Sequence, residues 1–186
     1  MADGAIWGWL AGAVLASVLF ATVPGCERAD AERAAILRLD AVPTDEGLTL
    51  RSGAVPDGGT VDVRSVCWRG GRRPDVTWGG MPEETAEVAV VTEVVTSDGR
   101  RRVHDLVLRL EPGRAGWYAG GPHTGGDAGP HTPPCAADAV GLRITVLALA
   151  SPLPVDLDHD DDPDAVIGAL ADRALLRGTT VAAFPR

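Results

Sequence analysis

From Leu48 onward the chain is built of short β-branched runs cut by Gly and Pro. Val61 to Val66, Glu87 to Val95, Val103 to Leu110 and Leu142 to Leu149 are rich in Val, Ile and Leu, and at this length they predict strands. Pro56-Asp57-Gly58-Gly59, Gly70-Gly71, Gly79-Gly80, Ser97-Asp98-Gly99 and Glu111-Pro112-Gly113 punctuate them, each supplying a positive φ or the fixed φ of proline that a tight turn needs. This spacing predicts a mainly β fold, an antiparallel β-sandwich with one C-terminal helix. The helix is expected from Pro163 to about Arg177. Asp162 is placed to cap it, Pro163 suits its first position, Asp164 complements the dipole, and Gly178 stops it. Val166, Ile167, Leu170 and Ala174 recur on one helical face, and Thr179 to Phe184 reads as a last strand. Gly113 to Gly129 predicts a long loop anchored by Trp117 and Tyr118.

The N-terminal pattern is different. Gly4 to Gly25 carries no charge, and as a helix rising ~1.5 Å per residue it would reach ~33 Å, the depth of a hydrocarbon layer. Val23-Pro24-Gly25-Cys26 ends this run as a bacterial lipobox does, which would make Cys26 a lipidated N-terminus. Pro24 is unusual in such a motif, and the opening Met-Ala-Asp-Gly lacks a positive n-region, so an uncleaved anchor and a buried helix stay open beside the lipoprotein. The reading divides the chain into a signal peptide or membrane anchor at 1–26, a tether at 27–45 and a folded domain at 46–186. It places that domain at the cell membrane, on the extracytoplasmic face. Within 27–45, Ile36, Leu37 and Leu39 allow a short helix but no sustained apolar face. With Cys26 taken by lipid, Cys67 and Cys135 form an even pair in an oxidising compartment, where a disulfide between them would stabilise the fold by about 4 kcal/mol. Two buried thiols are the alternative.

Composition narrows the function. The 186 residues include no Lys, Asn or Gln, so the all-Arg basic set reflects a skewed composition and is no evidence of phosphate binding. A net charge of -9 and only eight aromatic side chains exclude a nucleic-acid surface.

The order of the pieces is similar to one family. Leu48 to Ser52 followed by Asp57-Gly58-Gly59 and Val61 resembles the opening strand and turn of the phosphatidylethanolamine-binding, Raf-kinase-inhibitor-like proteins. Cys67, Pro74, Trp78 and Gly80-Met81-Pro82 fall at spacings like those of the bacterial members. His104 to Leu110 is similar to their "HWVVYNI" strand, with Asp105 in place of the Trp. Cys135, Arg143, Thr145, Ala148 and Leu149 fit the segment around "GPCPPGTHRY", and the Pro163 helix ending at Gly178-Thr179 resembles the closing segment. The resemblance covers about residues 46 to 186. It implies a β-sandwich with a small anion pocket at one sheet edge, built in the family from an Asp in a "DPDAP" loop, two His and a Pro-Pro turn.

Several of those positions are replaced here. Val94 falls where the resemblance puts the Asp, Val140 where it puts one His, and Ala136-Ala137 where it puts the Pro-Pro turn. His104 is retained, with Glu93 and Asp105 as neighbours able to orient it, and Arg143 is the second candidate ligand-binding residue. A strand histidine satisfied by backbone or water and an outward strand arginine are the plainer readings. The expectation is a binding module, not an enzyme, without a cofactor. Its anion pocket is largely lost, and it takes a protein partner or an altered small ligand. A conventional headgroup or small-anion binder using His104 is the alternative.

Other chemistry reads more weakly. Asp156, Asp158, His159, Asp160, Asp161 and Asp162 supply oxygens suited to calcium but lack EF-hand spacing, and a solvated loop ending in a helix cap explains them. His123, Asp127 and His131 are too widely spaced for a helix-borne zinc pair. No G-x-S-x-G occurs, and Ser97 near His104 lacks a third partner for hydrolase chemistry.

Overall fold

The computed structural model describes residues 24–45, 47–66, 71–117, 127–128, 134–135 and 137–185. Its strands are β1 (Thr49–Arg51), β2 (Val76–Gly79), β3 (Glu87–Thr96), β4 (Arg101–Leu110), β5 (Gly116–Trp117), β6 (Asp127–Ala128), β7 (Ala139–Leu149) and β8 (Ala174–Ala183). Helices α1 (Pro24–Ala41) and α2 (Pro163–Arg173) complete the described elements, with a 3-10 turn at Val63–Ser65. A three-stranded sheet in the order β1-β2-β5 faces a five-stranded sheet in the order β6-β4-β3-β7-β8, and all the strand pairs are antiparallel. This is the mainly β sandwich that the strand and turn pattern predicts.

The larger sheet is buried on both faces. Val88, Val90, Val94, Val107, Leu142, Ile144 and Val146 pack toward the small sheet, against Val76, Trp78 and Trp117. Ala89, Val91, Leu106, Leu108, Leu147 and Leu149 pack toward the helices, against Val166, Ile167 and Leu170 of α2. A strand buried on two sides reads as a continuous apolar run, which is why Glu87 to Val95 shows no alternation. The pleat alternates those residues between the two cores, and Glu93 continues the helix-side set after Val91.

Three expectations change. Residues 27–45 are not slack chain: α1 runs through them to Ala41, and Ala35, Leu39 and Val42 are buried in the helix-side core. α2 stops at Arg173, four residues before the expected end, because Ala174–Ala183 pairs with β7 along its length, Gly178 lying opposite Val146. Gly178 is therefore a strand residue. Asp162 occupies the N-cap position of α2 but makes no side-chain capping bond. The third change is at 61–66, where Val61 and Val66 are buried beside a 3-10 turn rather than in a strand.

The free edge of β8 is closed by the chain itself. Thr44 and Thr60 bridge to Arg177 and Ala183 in parallel fashion, and Arg177, Ala183, Gly58 and Val61 exchange backbone hydrogen bonds across the same seam. The anchor expected at 1–26 falls almost wholly outside the described residues, and no described helix is long and apolar enough to cross a membrane. Cys26 lies within the described span of α1. Cys67 is outside the described residues, and Cys135 is exposed.

Candidate functional site

His104 owes its placement to a bulge. Thr92 pairs with Asp105 and Glu93 with Val103, so His104 is the extra residue of β4 at that point. A bulge of this kind leaves one residue without a cross-strand partner and re-aims its side chain, often beside a binding site. The imidazole sits at the sheet edge and lines a cavity of about 350 Å³.

The cavity draws on segments far apart in sequence. Val94 and Val103 supply apolar wall from β3 and β4, and Pro134 and Cys135 close one side. Arg102 contributes a guanidinium that also pairs with Asp138 at 2.8 Å. Carboxylates come from three places on two helices: Glu32 of α1, and Asp162 and Asp164 at the start of α2. Three acids thus face one guanidinium and one imidazole, and the balance is unfavourable to an anion. A smaller cavity of about 180 Å³ shares Val103, His104 and Pro163 with the larger one and is also lined by His159 and Asp160, which approach each other to 3.4 Å.

The two neighbours expected to orient His104 have contacts of their own. Asp105 takes a two-pronged contact from Arg73, with Nε to Oδ2 at 2.5 Å and Nη2 to Oδ1 at 2.8 Å. Arg73 also stacks 5.2 Å from the Trp117 ring centroid. Glu93 lies on the helix side, 3.6 Å from Arg101 and Arg143. Arg143, the second candidate ligand residue, is neither outward-facing nor among the residues lining the described cavities. It is largely buried under α1, 2.9 Å from Asp40. Of the replaced positions, Val94 is buried in the cavity wall, Val140 is 44% exposed and does not line it, and Ala136 is outside the described residues.

Other candidates resolve simply. The backbone N–H groups of Asp158 and Asp160 donate to the carboxylates of Asp161 and Asp158, at 2.7 and 2.8 Å, so these acids brace their own loop. Among the described residues no group of three His, Cys, Asp or Glu side chains is arranged to hold a metal ion. His123 and His131 lie outside them, as does the side chain of Asp127.

Sequence reasoning placed His104 and Val94 at one site but missed Glu32, Asp162 and Asp164. Glu32 stood in the presumed tether and Asp162 was assigned to a cap. Pro133-Pro134, immediately before Cys135, was the available signal for the proline wall.

The fold has known counterparts. A putative phosphatidylethanolamine-binding protein homologue of Chlamydia trachomatis, CT736, superposes with a TM-score of 0.63 at 18% identity, over 76% of this chain and 99% of that one. YbcL of E. coli, described as a new member of the mammalian family of these proteins, superposes with a TM-score of 0.62 at 17% identity, over 75% and 99%. No protein-family model and no curated protein matches the sequence. The chain has the phosphatidylethanolamine-binding-protein-like fold, mainly β with a helix near its C-terminus.

Proposed function

We propose that this chain is a membrane-tethered, extracytoplasmic binding module whose cavity beside His104 takes a small neutral or cationic molecule in place of an anionic headgroup. The observation that carries the reading is the cavity lining: Val94 where the resemblance puts an acid, and three carboxylates against Arg102 and His104. A bound phosphate would meet the repulsion of three carboxylates, and each charge-assisted hydrogen bond it fails to make forfeits ~1.5–3 kcal/mol, so even one such loss weakens phosphate-type binding by about an order of magnitude or more. Calorimetric titration of the full chain with inorganic phosphate and phosphoethanolamine should show affinity no better than millimolar. Ethanolamine should perturb the His104 imidazole resonances in NMR spectra, and His104→Ala should abolish its binding. Micromolar phosphate affinity that disappears in His104→Ala would instead establish the small-anion binder.

Tethering is supported by the uncharged run from Gly4 to Gly25 and by the Val-Pro-Gly-Cys sequence that ends it. Because the described helix α1 spans Pro24–Ala41 and packs on the domain from Ala35, the link from Cys26 to the body is helical. In a bacterial host fed labelled palmitate, the wild-type chain should take up label and Cys26→Ser should not. Unlabelled wild-type protein that still sediments with membranes would point to the uncleaved anchor.

A further inference from the structure

Five charged side chains meet where α1 ends. Asp40 of α1 is held by Arg101 of β4 through both oxygens, Nη1 reaching Oδ1 at 3.1 Å and Nη2 contacting Oδ2. Arg143 of β7 reaches the same Oδ1 at 2.9 Å, and Arg177 of β8 lies 4.0 Å from it. Arg177 also donates to the backbone carbonyls of Asp40 and Val42, each at 2.9 Å, so it binds the negative end of the helix as well as the side chain.

The fifth member comes from β3, between the strands that carry Arg101 and Arg143. The Glu93 side chain is 0% exposed, with Oε1 3.6 Å from Arg101 Nη1 and Oε2 3.6 Å from Arg143 Nε. Neither oxygen has a hydrogen-bond donor among the described residues. Asp40 and Glu93 therefore draw on the same two guanidiniums, and Asp40 has the shorter contacts to both. The exposed pair Arg38–Asp172 joins α1 to α2 outside this cluster.

We infer that the cluster is a pH-dependent latch on α1, closed while Glu93 is neutral and loosened when Glu93 ionises and competes with Asp40 for Arg101 and Arg143. Burial pushes the Glu93 carboxyl up to about 7; Arg101 and Arg177 oppose that rise and Asp40 adds to it. The closed form thus holds a proton that a hydrated Glu93 would release. Linkage then favours opening as pH rises from the ordinary carboxylate range through about 7. If lifting α1 returns Glu93 to 4.5, opening increases roughly tenfold between about pH 6 and pH 8. The consequence reaches the cavity, because α1 carries Glu32 into its wall. No ligand need be known to test this.

Hydrogen exchange of the full chain, read by mass spectrometry and corrected for the intrinsic pH dependence, measures the opening directly. Peptides covering 30–41 should lose about tenfold protection between about pH 6 and pH 8 while β3 and β7 hold theirs. Glu93→Gln should abolish that response and keep α1 protected at both pH values. Should Glu93→Gln not fold, Asp40→Asn decides: removing the neighbouring negative charge should move the midpoint of the α1 response to lower pH. Equal protection of α1 at both pH values in the wild type, a response that survives Glu93→Gln, or an unmoved midpoint in Asp40→Asn would each overturn the latch.

Discussion

Leu39→Ala is expected to lower the free energy of unfolding by about 3 kcal/mol, within the range of ~2–5 for emptying a fully buried leucine site. Leu39 is 0% exposed in the helix-side core, which also contains Ala35, Val42, Val166, Ile167 and Leu170. The change removes transferred apolar surface and leaves a void that α1 and α2, joined also by the Arg38–Asp172 pair, can close only in part. In a chain of this size the melting temperature should fall by roughly 10 °C. Leu37→Ala is the internal control: its side chain is 58% exposed, two positions away on the same helix, and its effect should stay within ~0.5 kcal/mol. If the two variants melt together at the wild-type temperature, α1 is slack chain after all, and the structural reading of residues 27–45 fails with it.

Gly80→Ala should be at least as damaging, by a different route. Gly80 follows β2 with φ +76, and a Cβ built there would stand 1.7 Å from the carbonyl oxygen of Gly47. The left-handed backbone alone costs an alanine roughly 1–2 kcal/mol. The collision must be relieved by moving Gly47 and Leu48, and Leu48 belongs to the core between the sheets. A total loss of about 3 kcal/mol or more follows from the two effects together. Gly99→Ala separates them: Gly99 has φ +79 with nothing within 4 Å of its built Cβ, so only the backbone cost of roughly 1 kcal/mol applies. Equal denaturant midpoints for the two variants would show that the contact with Gly47 plays no part.

How much of this was legible in the sequence depends on how local the signal was. β3, β4 and β7 stood out because strands buried on both faces need uninterrupted Val, Ile and Leu, and composition shows that directly. The end of α2 did not, since Ala174, Leu175 and Leu176 are good helix formers and only the pairing of Ala174 and Leu176 with β7 makes this stretch a strand. Val61, Val63 and Val66 misled in the opposite sense. Val61 and Val66 are buried in the sandwich interior as a strand's residues would be, but Val63 begins a 3-10 turn and is 46% exposed.

α1 was hidden by the sparseness of its apolar stripe. Ala35, Ile36, Leu39 and Val42 are embedded among Arg and Asp residues, and Leu37 points away. Its charges were in fact part of the signal, because Asp40 answers Arg101, Arg143 and Arg177 from three different strands. Pairings of that kind join positions separated by 61 to 137 residues, and no window along the chain can contain them. The acids of the cavity were missed for the same reason. Glu32 and Asp162 meet at His104 only once α1 and α2 lie on the same face of the sheet.

The seam along β8 has a consequence for crowding. An uncovered β-strand offers its backbone groups to any neighbour that drifts past, and crowded copies that pair in this way join their sheets into ribbons. Here residues 43–44 and 58–61 already fill that role at Arg177, Val181 and Ala183, so a neighbouring copy meets a flank whose ladder is partly taken.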